Sequence, residues 1–469
     1  MEIKTRFAPS PTGELHIGNA WTALFEYLFA KSQNGQFLLR IEDTDRERFV
    51  EGADKRIIES IKWLGIIPEN VDSYFAQSSR LEIYQKHARQ LVDDGKAYIC
   101  TCSKERITQA REEQQKAGQP PKYPGYCREA GIKFADVEEG EYVVRLKMPK
   151  AGKTVVHDLI RGDVEFDLSL IDDQVLLKSD GFPTYHLAAI VDDHEMQISH
   201  VIRAEEWLPS TPKHLVIYED FGWKAPEFAH LPMILAPDRS KLSKRHGATS
   251  VVEFKNLGYL PEAMINFMAL MGWNPGDKIT SEYQEHFLLQ DLVKLFNIKD
   301  VNKSPAIFDI EKLNSINEYY LRNKSTEELQ ELLKEFEVEN PTDEEANLIK
   351  RGGYKTVKEA ADYINKIRQI TEYDPSLLIF KKSDKETTTK GLELVFKEIE
   401  NLQQFNDSTI QQLLSTVVEN NSLSNGDVFW PVRVALSGEE KSPSPVELAL
   451  ILGKDKTLAR IKKAISILQ

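Results

Sequence analysis

The sequence has only three cysteines in 469 residues. The number is odd and two of them form a C-x-C pair, which excludes a disulfide framework and points to a reducing compartment. No apolar run approaches the ~20 residues that span a bilayer, so no membrane association is expected. Met1-Glu2-Ile3-Lys4 opens no apolar stretch of the secretory kind. An excess of positive charge is also missing: 60 Lys and Arg against 74 Asp and Glu leave a net charge of −14. That excludes a uniformly basic coat for nucleic acid but not a local basic face. No repeat of fixed period recurs. What is present is balanced, with 29% charged and 41% hydrophobic residues, too mixed for wholesale disorder. At ~150 residues per domain the length suggests about three domains. The expected setting is cytoplasmic.

The first 45 residues read as strand, loop, helix, strand. Lys4 to Ala8 runs into Pro9-Ser10-Pro11-Thr12-Gly13, which neither continues a strand nor sits inside a helix. Trp21, Leu24, Phe25, Leu28 and Phe29 then share one helical face. Asn34-Gly35 marks a turn, and Phe37 to Ile41 is extended. This βαβ pattern implies a parallel sheet, whose ligands lie beyond the carboxyl ends of its strands. Residues 6–18 and 42–45 should therefore converge on one crevice. Val175 to Leu187 reads as a hairpin around Asp180-Gly181, Ile198 to Arg203 as a strand, and Thr211-Pro212 as a helix start. Past residue 260 strands largely vanish. Ser325 with Glu328, Thr342 with Glu345, and Ser444 with Glu447 have capping-box spacing, Gly453 marks a helix stop, and Lys381 to Lys390 reads as a solvated loop. The expected fold is an α/β N-terminal Rossmann-like domain with an inserted α+β subdomain, followed by an all-α C-terminal region.

Two segments carry chemistry. In the first, prolines stiffen a loop, Gly13 permits a bend, and His16-Ile17-Gly18 opens a helix, whose N-terminal N–H groups suit a phosphate. Gly18 lets a nucleotide approach the backbone closely. In the second, Ala236-Pro237-Asp238-Arg239 precedes Lys241-Leu242-Ser243-Lys244-Arg245, and these cations beside Gly247 suit a loop that clamps a polyphosphate and steadies a leaving pyrophosphate. Alone, the first is an ordinary capped βα turn and the second a solvated basic loop; together they shift the reading.

His16-Ile17-Gly18-Asn19 resembles the HIGH motif of class I aminoacyl-tRNA synthetases, with Asn for the final His. Lys241 to Arg245 resembles the KMSKS motif, with Leu and Arg as variants. Arg6 to Gly13, Arg40-Ile41-Glu42-Asp43-Thr44-Asp45 and Val201-Ile202-Arg203-Ala204-Glu205-Glu206 look like the bacterial glutamyl-tRNA synthetase subgroup. The resemblance is strong from residue 3 to about 275 and weaker beyond. It implies five parts: a Rossmann-like catalytic half at 1–99, an inserted acceptor-binding subdomain at 100–185, a second Rossmann-like half at 186–240, the KMSKS-like loop with a helical stem-contact domain at 241–322, and an α-helical anticodon-binding region at 323–469.

The implied enzyme is a ligase that activates L-glutamate with ATP and Mg²⁺ and transfers it to the 3′ end of tRNA(Glu). His16, Gly18, Lys241 and Lys244 are the implied catalytic residues. Arg6, Ser10, Glu42, Tyr185 and Arg203 are implied for glutamate, Arg because its planar fork matches a carboxylate, and Glu42 for the substrate ammonium. Pro9, Thr12, Gly13, His16, Gly18, Glu206, Trp207 and Lys244 are implied for ATP. Ala189 stands where relatives commonly have Asn. Cys100, Cys102 and Cys127 have the spacing of a structural Zn²⁺ site in some relatives, with Glu129 or Tyr123 as fourth ligand. Arg351 and Tyr354 are candidate anticodon readers. A monomer is expected.

Five other readings compete, one of them an amino-acid adenylating enzyme that uses no tRNA, for which the helical appendage would lack a job. A non-discriminating ligase would also charge tRNA(Gln). A truncated relative that glutamylates a tRNA base would lack the helices past 320, and glutaminyl-tRNA synthetase would end in β-barrels. A catalytically inactive tRNA-binding paralogue would be expected to have lost His16, Gly18 or Lys244.

Overall fold

Thr5, Arg6 and Phe7 are buried on strand β1 (Lys4–Phe7), which pairs in parallel with β2 (Gln36–Leu39), Arg6 opposite Leu38. The computed structural model describes residues 2–276, 285–370 and 372–469, and of Lys244 the backbone alone. Between β1 and β2, helix α1 (Ile17–Ser32) buries Trp21, Leu24, Phe25, Leu28 and Phe29, the face its spacing requires. The return to β2 needs Gly35, because a Cβ there would lie 2.4 Å from the Ile3 carbonyl oxygen. Helices α2 (Ala53–Trp63) and α3 (Leu81–Asp93) follow.

The insertion begins with β3 (Ala97–Cys100) and the polar helix α4 (Lys104–Lys116). Strands β4 (Val143–Leu146) and β7 (Val175–Leu177) complete an antiparallel sheet in the order β3-β4-β7. Between them β5 (Lys153–Asp158) and β6 (Gly162–Asp167) form a hairpin. After β7 the Asp180-Gly181 turn is present, with Lys178 N donating to the Phe182 carbonyl at 2.8 Å, but the expected return strand is a single bridge, Leu177 to Pro183. Tyr185, His186 and Leu187 instead open helix α5 (Tyr185–Glu195). The apolar run Leu187 to Val191 is buried all round, a pattern that fits a helix as well as a strand.

Strand β8 (His200–Ala204), helix α6 (Thr211–Asp220) and strand β9 (Glu227–Leu231) return to the Rossmann-like fold. β8 and β9 are parallel, and β5 of the inserted hairpin joins them at Asp158–Phe228, giving the order β6-β5-β9-β8. Ser199 N donates to the Lys4 carbonyl at 3.0 Å, which sets the start of β8 against β1. Beyond lie β10 (Ile234–Leu235), helices α7 (Val251–Asn256), α8 (Pro261–Leu270) and α9 (Leu289–Leu295), and β11 (Ala306–Ile307), parallel to β10.

The chain divides into two compact units, Met1–Lys255 with Pro261–Leu313, and Asn256–Leu260 with Asn314–Gln469. The second is helical: α10 (Ile310–Arg322) from Asn314 onward, α11 (Thr326–Glu335), α12 (Asp343–Lys350), α13 (Val357–Gln369), α14 (Lys385–Asn401), α15 (Asp407–Asn420), α16 (Asn425–Ser437) and α17 (Pro445–Leu468). Reciprocal capping boxes form at Ser325/Glu328, Thr342/Glu345 and Ser444/Glu447. Lys381 to Lys390 is not a loop throughout. Asp384 accepts from Thr387 N at 2.7 Å and caps α14, whose first turns hold the three threonines. Gly453, at φ 75°, interrupts α17 where a stop was expected. Among the described residues no helix is long and apolar enough to cross a membrane.

Candidate active site

The carboxyl ends of β1, β2 and β8 carry the predicted residues. Glu42 N donates to the Pro9 carbonyl at 3.0 Å and Val50 N to that of Pro11 at 2.9 Å, so the loops after β1 and β2 run side by side. Pro9 is buried, Ser10 and Thr12 are exposed, and Gly13 is half-buried at φ 148°. His16 is the N-cap of α1: its Nδ1 accepts from Gly18 N at 3.0 Å. An accepting Nδ1 puts the proton of the neutral ring on Nε2, which can then donate. Burial first, and then the charge of Lys241, lower the His16 pKa against the pull of Glu253. His16 is thus a neutral donor at pH 7. At Gly18 a Cβ would meet the His16 ring at 3.3 Å.

The basic loop reaches the same place. Ile17 N donates to the Thr249 carbonyl at 2.8 Å, and Val251 N to that of Leu15 at 2.9 Å. Lys241, exposed, lies 3.7 Å from Glu206. Within the loop, His246 Nδ1 lies 3.2 Å from both the N and Oγ of Ser243. The Lys244 side chain lies outside the described residues.

Below these loops is a buried charge network. Arg6 donates through Nε to Asp193 Oδ1 at 3.0 Å and through Nη1 to Glu26 Oε1 at 3.2 Å. Arg40, fully buried, donates through Nη1 to the same Asp193 oxygen at 2.5 Å and through Nη2 to Glu42 Oε1 at 3.0 Å. Burial pushes the Glu42 carboxyl above its ordinary pKa while Arg40 and Arg6 pull it back. Burial likewise opposes the Asp193 charge, yet Arg40 and Arg6 hold its carboxyl below the ordinary value. Asp43 instead caps Ser78, and Asp45 pairs with Arg48 at the surface.

Arg203, on β8, is 6% exposed. It donates to the Tyr185 hydroxyl at 2.9 Å, and the Tyr185 ring packs on Trp207 with centroids 4.3 Å apart. Arg6 and Glu42 therefore share one buried charge network and Tyr185 and Arg203 a bonded pair, with Tyr185 close enough for its charge to act on Arg6. Sequence reasoning missed Glu26, Asp193, His214, His230 and Asp158, which hold these residues. The one available signal was Asp192-Asp193 directly after the apolar run in α5.

The three cysteine sulfurs lie within 4.8 Å of one another. The Tyr123 hydroxyl is 3.2 Å from Cys100 Sγ and 3.5 Å from Cys102 Sγ, and accepts from Cys127 N at 3.0 Å. Glu129 is not brought to them. Its side chain is 76% exposed and pairs with Lys147 at 3.2 Å. In the helical unit Arg351 is exposed and donates to Glu447 at 2.8 Å, while the half-buried Tyr354 packs on Tyr363 with centroids 5.8 Å apart.

Residues 2–315 match the family described as tRNA synthetases class I (E and Q), catalytic domain, and residues 311–465 match the anticodon binding domain family. The glutamate–tRNA ligase of Dehalococcoides mccartyi is 44% identical, over 99% of this chain and 97% of its own length. Glutamate–tRNA ligase 2 of Thermoanaerobacter pseudethanolicus is 43% identical, over 100% and 99%. A crystal structure of a glutamate tRNA ligase from Elizabethkingia meningosepticum, in complex with its amino acid, superposes with a TM-score of 0.85 at 34% identity, covering 100% of both chains. The two family matches and these full-length likenesses place this chain, whose histidine-capped helix is bonded to the segment after a lysine-rich loop, in the class I tRNA synthetase family, among the glutamate–tRNA ligases.

Proposed function

We propose that this chain activates L-glutamate with ATP and transfers it to the 3′ end of tRNA(Glu). The observation that carries the proposal is the pair of buried guanidinium groups, Arg6 on β1 and Arg203 on β8, together with the His16 turn bonded to the segment that follows the Lys241 loop. The substrate has two carboxylates and an ammonium. Among the described residues Arg6 Nη2 is not engaged by protein, which leaves a donor for a carboxylate, and Glu42 Oε2 is likewise open to an ammonium.

The glutamate α-carboxylate is ionised at pH 7 and needs no protein base. Its oxygen attacks the α-phosphorus of ATP, the bond to the β-phosphate oxygen breaks, and glutamyl-adenylate and pyrophosphate form. The terminal ribose hydroxyl of tRNA then attacks the activated carbonyl and AMP leaves. Catalysis is positioning and charge stabilisation. His16 Nε2–H donates to a phosphate oxygen, Lys241 and Lys244 supply the positive charge for the leaving phosphates, and Pro9, Thr12, Gly13, Gly18, Glu206 and Trp207 shape the nucleotide's place. Mg²⁺ bound with ATP supplies neutralisation of phosphate charge.

Three thiols and the Tyr123 hydroxyl form a compact four-donor set that fits a structural Zn²⁺. Cys100, Cys102, Cys127 and Tyr123 would hold it, joining the end of β3 to the segment around Cys127. Arg351 and Tyr354 are the proposed anticodon readers, the enzyme works as a cytoplasmic monomer, and tRNA binds before glutamate is activated. Aminoacylation of separate tRNA(Glu) and tRNA(Gln) transcripts with each of the twenty amino acids tests the whole reading. Only glutamate should be charged, and failure with both transcripts overturns the proposal. Lys244→Ala should lower kcat for adenylate formation more than it changes the glutamate KM.

A further inference from the structure

Each edge of the Arg203 guanidinium is held by the protein. Nε donates to His230 Nε2 at 3.1 Å, Nη2 to Thr211 Oγ1 at 2.9 Å, and Nη1 to the Tyr185 hydroxyl at 2.9 Å with His214 Nδ1 at 3.2 Å. His230 can accept from Arg203 only as the neutral ring with its proton on Nδ1. That nitrogen lies 2.6 Å from Asp158 Oδ2, and both side chains are 0% exposed. The other Asp158 oxygen is fixed by the Ile160 and Arg161 N–H groups at 2.9 and 2.7 Å. Asp158 ends β5, on the inserted hairpin, where it pairs with Phe228 of β9. Arg161, in the turn of that hairpin, donates to the His230 carbonyl at 3.3 Å and pairs with Glu205.

We propose that Asp158 and His230 are positioning residues through which the inserted hairpin sets the plane of the Arg203 guanidinium, and with it the grip on the glutamate carboxylate. The inference rests on the reading of Arg203 as a glutamate-binding residue. Asp158 fixes the His230 tautomer, the tautomer offers Arg203 Nε an acceptor, and Thr211 Oγ1, 3.3 Å from that same His230 nitrogen, takes the neighbouring Nη2 N–H, so the two bonds set the plane together. Only the Nη1 edge, held by two neutral groups, is left to turn from Tyr185 and His214 to a substrate carboxylate. A hairpin displaced from β9 would release that plane.

Asp158→Asn separates positioning from folding. Asn Oδ1 keeps the two turn bonds, but its amide N–H now faces His230 Nδ1. The proton is driven to Nε2, where it confronts the Arg203 Nε–H. Losing a hydrogen bond to a charged group should raise the glutamate KM about ten-fold or more. The ATP KM and kcat at saturating glutamate should stay within about two-fold of the parent. His230→Phe keeps the ring but neither nitrogen and should raise the glutamate KM to the same extent. His230→Gln retains an acceptor for Arg203 and should lie nearer the parent. Because Asp158 acts through His230, the Asp158→Asn change should add nothing in the His230→Phe background.

The assay is tRNA charging by the full chain, with thermal unfolding measured on each variant. A parent-like glutamate KM in either folded single variant, an equal rise in the ATP KM, or additive effects would overturn the relay. A parent chain that fails to charge tRNA with glutamate sinks the functional reading instead, so the two failures are distinct. Should Asp158→Asn unfold, the contrast between His230→Phe and His230→Gln decides alone, and equal KM values there overturn the proposal.

Discussion

The two compact units are held together in opposite ways. In the catalytic unit the decisive contacts are buried charges far apart in sequence: Arg6 and Asp193 are 187 positions apart, Arg40 and Asp193 are 153. In the helical unit the polar contacts are largely local, and capping boxes close over three residues at Ser325, Thr342 and Ser444. Guanidinium groups kept dry need partners for their charge. The helical scaffold leaves most of its charges at the surface and relies on apolar stripes, with the buried Glu345 paired to Arg368 as an exception.

The sharpest way to break this contrast is Asp193→Ala. It leaves the guanidinium groups of Arg6 and Arg40, 4% and 0% exposed, short of their shared counter-charge, and should cost about 3–5 kcal/mol in urea unfolding. No single charge removed from the surface of the helical unit should approach that. A cost below about 1 kcal/mol would mean that the network behaves like surface salt bridges.

The same contrast explains what was legible in the sequence. The turn at Pro9 to Gly13, the helix at His16 and the capping boxes are local, and each residue type implies its geometry within a few positions. Asp193, His230 and Asp158 could not be found that way, because their partners are set by sheet order. The Lys381 to Lys390 stretch was misread because Asp384 capping outweighs the modest helix propensity of three threonines. At the cysteines, spacing admitted both Glu129 and Tyr123. The fold turns Glu129 to Lys147 and Tyr123 to the sulfurs, a choice made by the packing of residues 97–127 and invisible in spacing.

A second prediction concerns acid. His186 Nδ1 lies 3.0 Å from His214 Nε2, and burial first, then Lys213 and Arg203, push the His186 pKa down to about 3 from 6.5. Below pH 6.5 the unfolded chain takes up this proton before the folded one, so folding stability falls as pH falls, through a window from 6.5 to about 3. One proton contributes a slope of at most ~1.4 kcal/mol per pH unit. Urea midpoints measured from neutral pH down to pH ~4 should fall less steeply for His186→Asn. An unchanged slope would assign the acid sensitivity to other groups. Substitutions in the helical unit, whose histidine content is nil past residue 286, should leave that slope alone.

Smaller still is the loss of one cap. Ser444→Ala removes the acceptor that Glu447 N reaches at 3.2 Å, at a helix whose first residue is Pro445. The expected cost is about 1 kcal/mol in thermal or urea unfolding. A loss as large as that of Asp193→Ala would deny the claim that the helical unit is held by many small local terms.

The smallest effect makes the comparison quantitative. Lys358 Nζ lies 2.6 Å from Asp362 Oδ2 on α13, and Arg40 Nη1 lies 2.5 Å from Asp193 Oδ1, so the two ion pairs have nearly the same length. They differ in surroundings: the side chains of the first are 44% and 65% exposed, those of the second 0% and 5%. Water already solvates Lys358 and Asp362 singly, and the lysine precedes the acid, the weaker orientation on a helix. A double-mutant cycle with Lys358→Ala and Asp362→Ala should therefore return about 0.3–0.5 kcal/mol at low salt and less as salt screens it. A coupling near that of the buried pair would mean that distance alone governs these contacts. A small, salt-sensitive value would mean that the catalytic unit's dependence on Asp193 comes from the dryness of its surroundings, the condition a carboxylate-binding arginine requires.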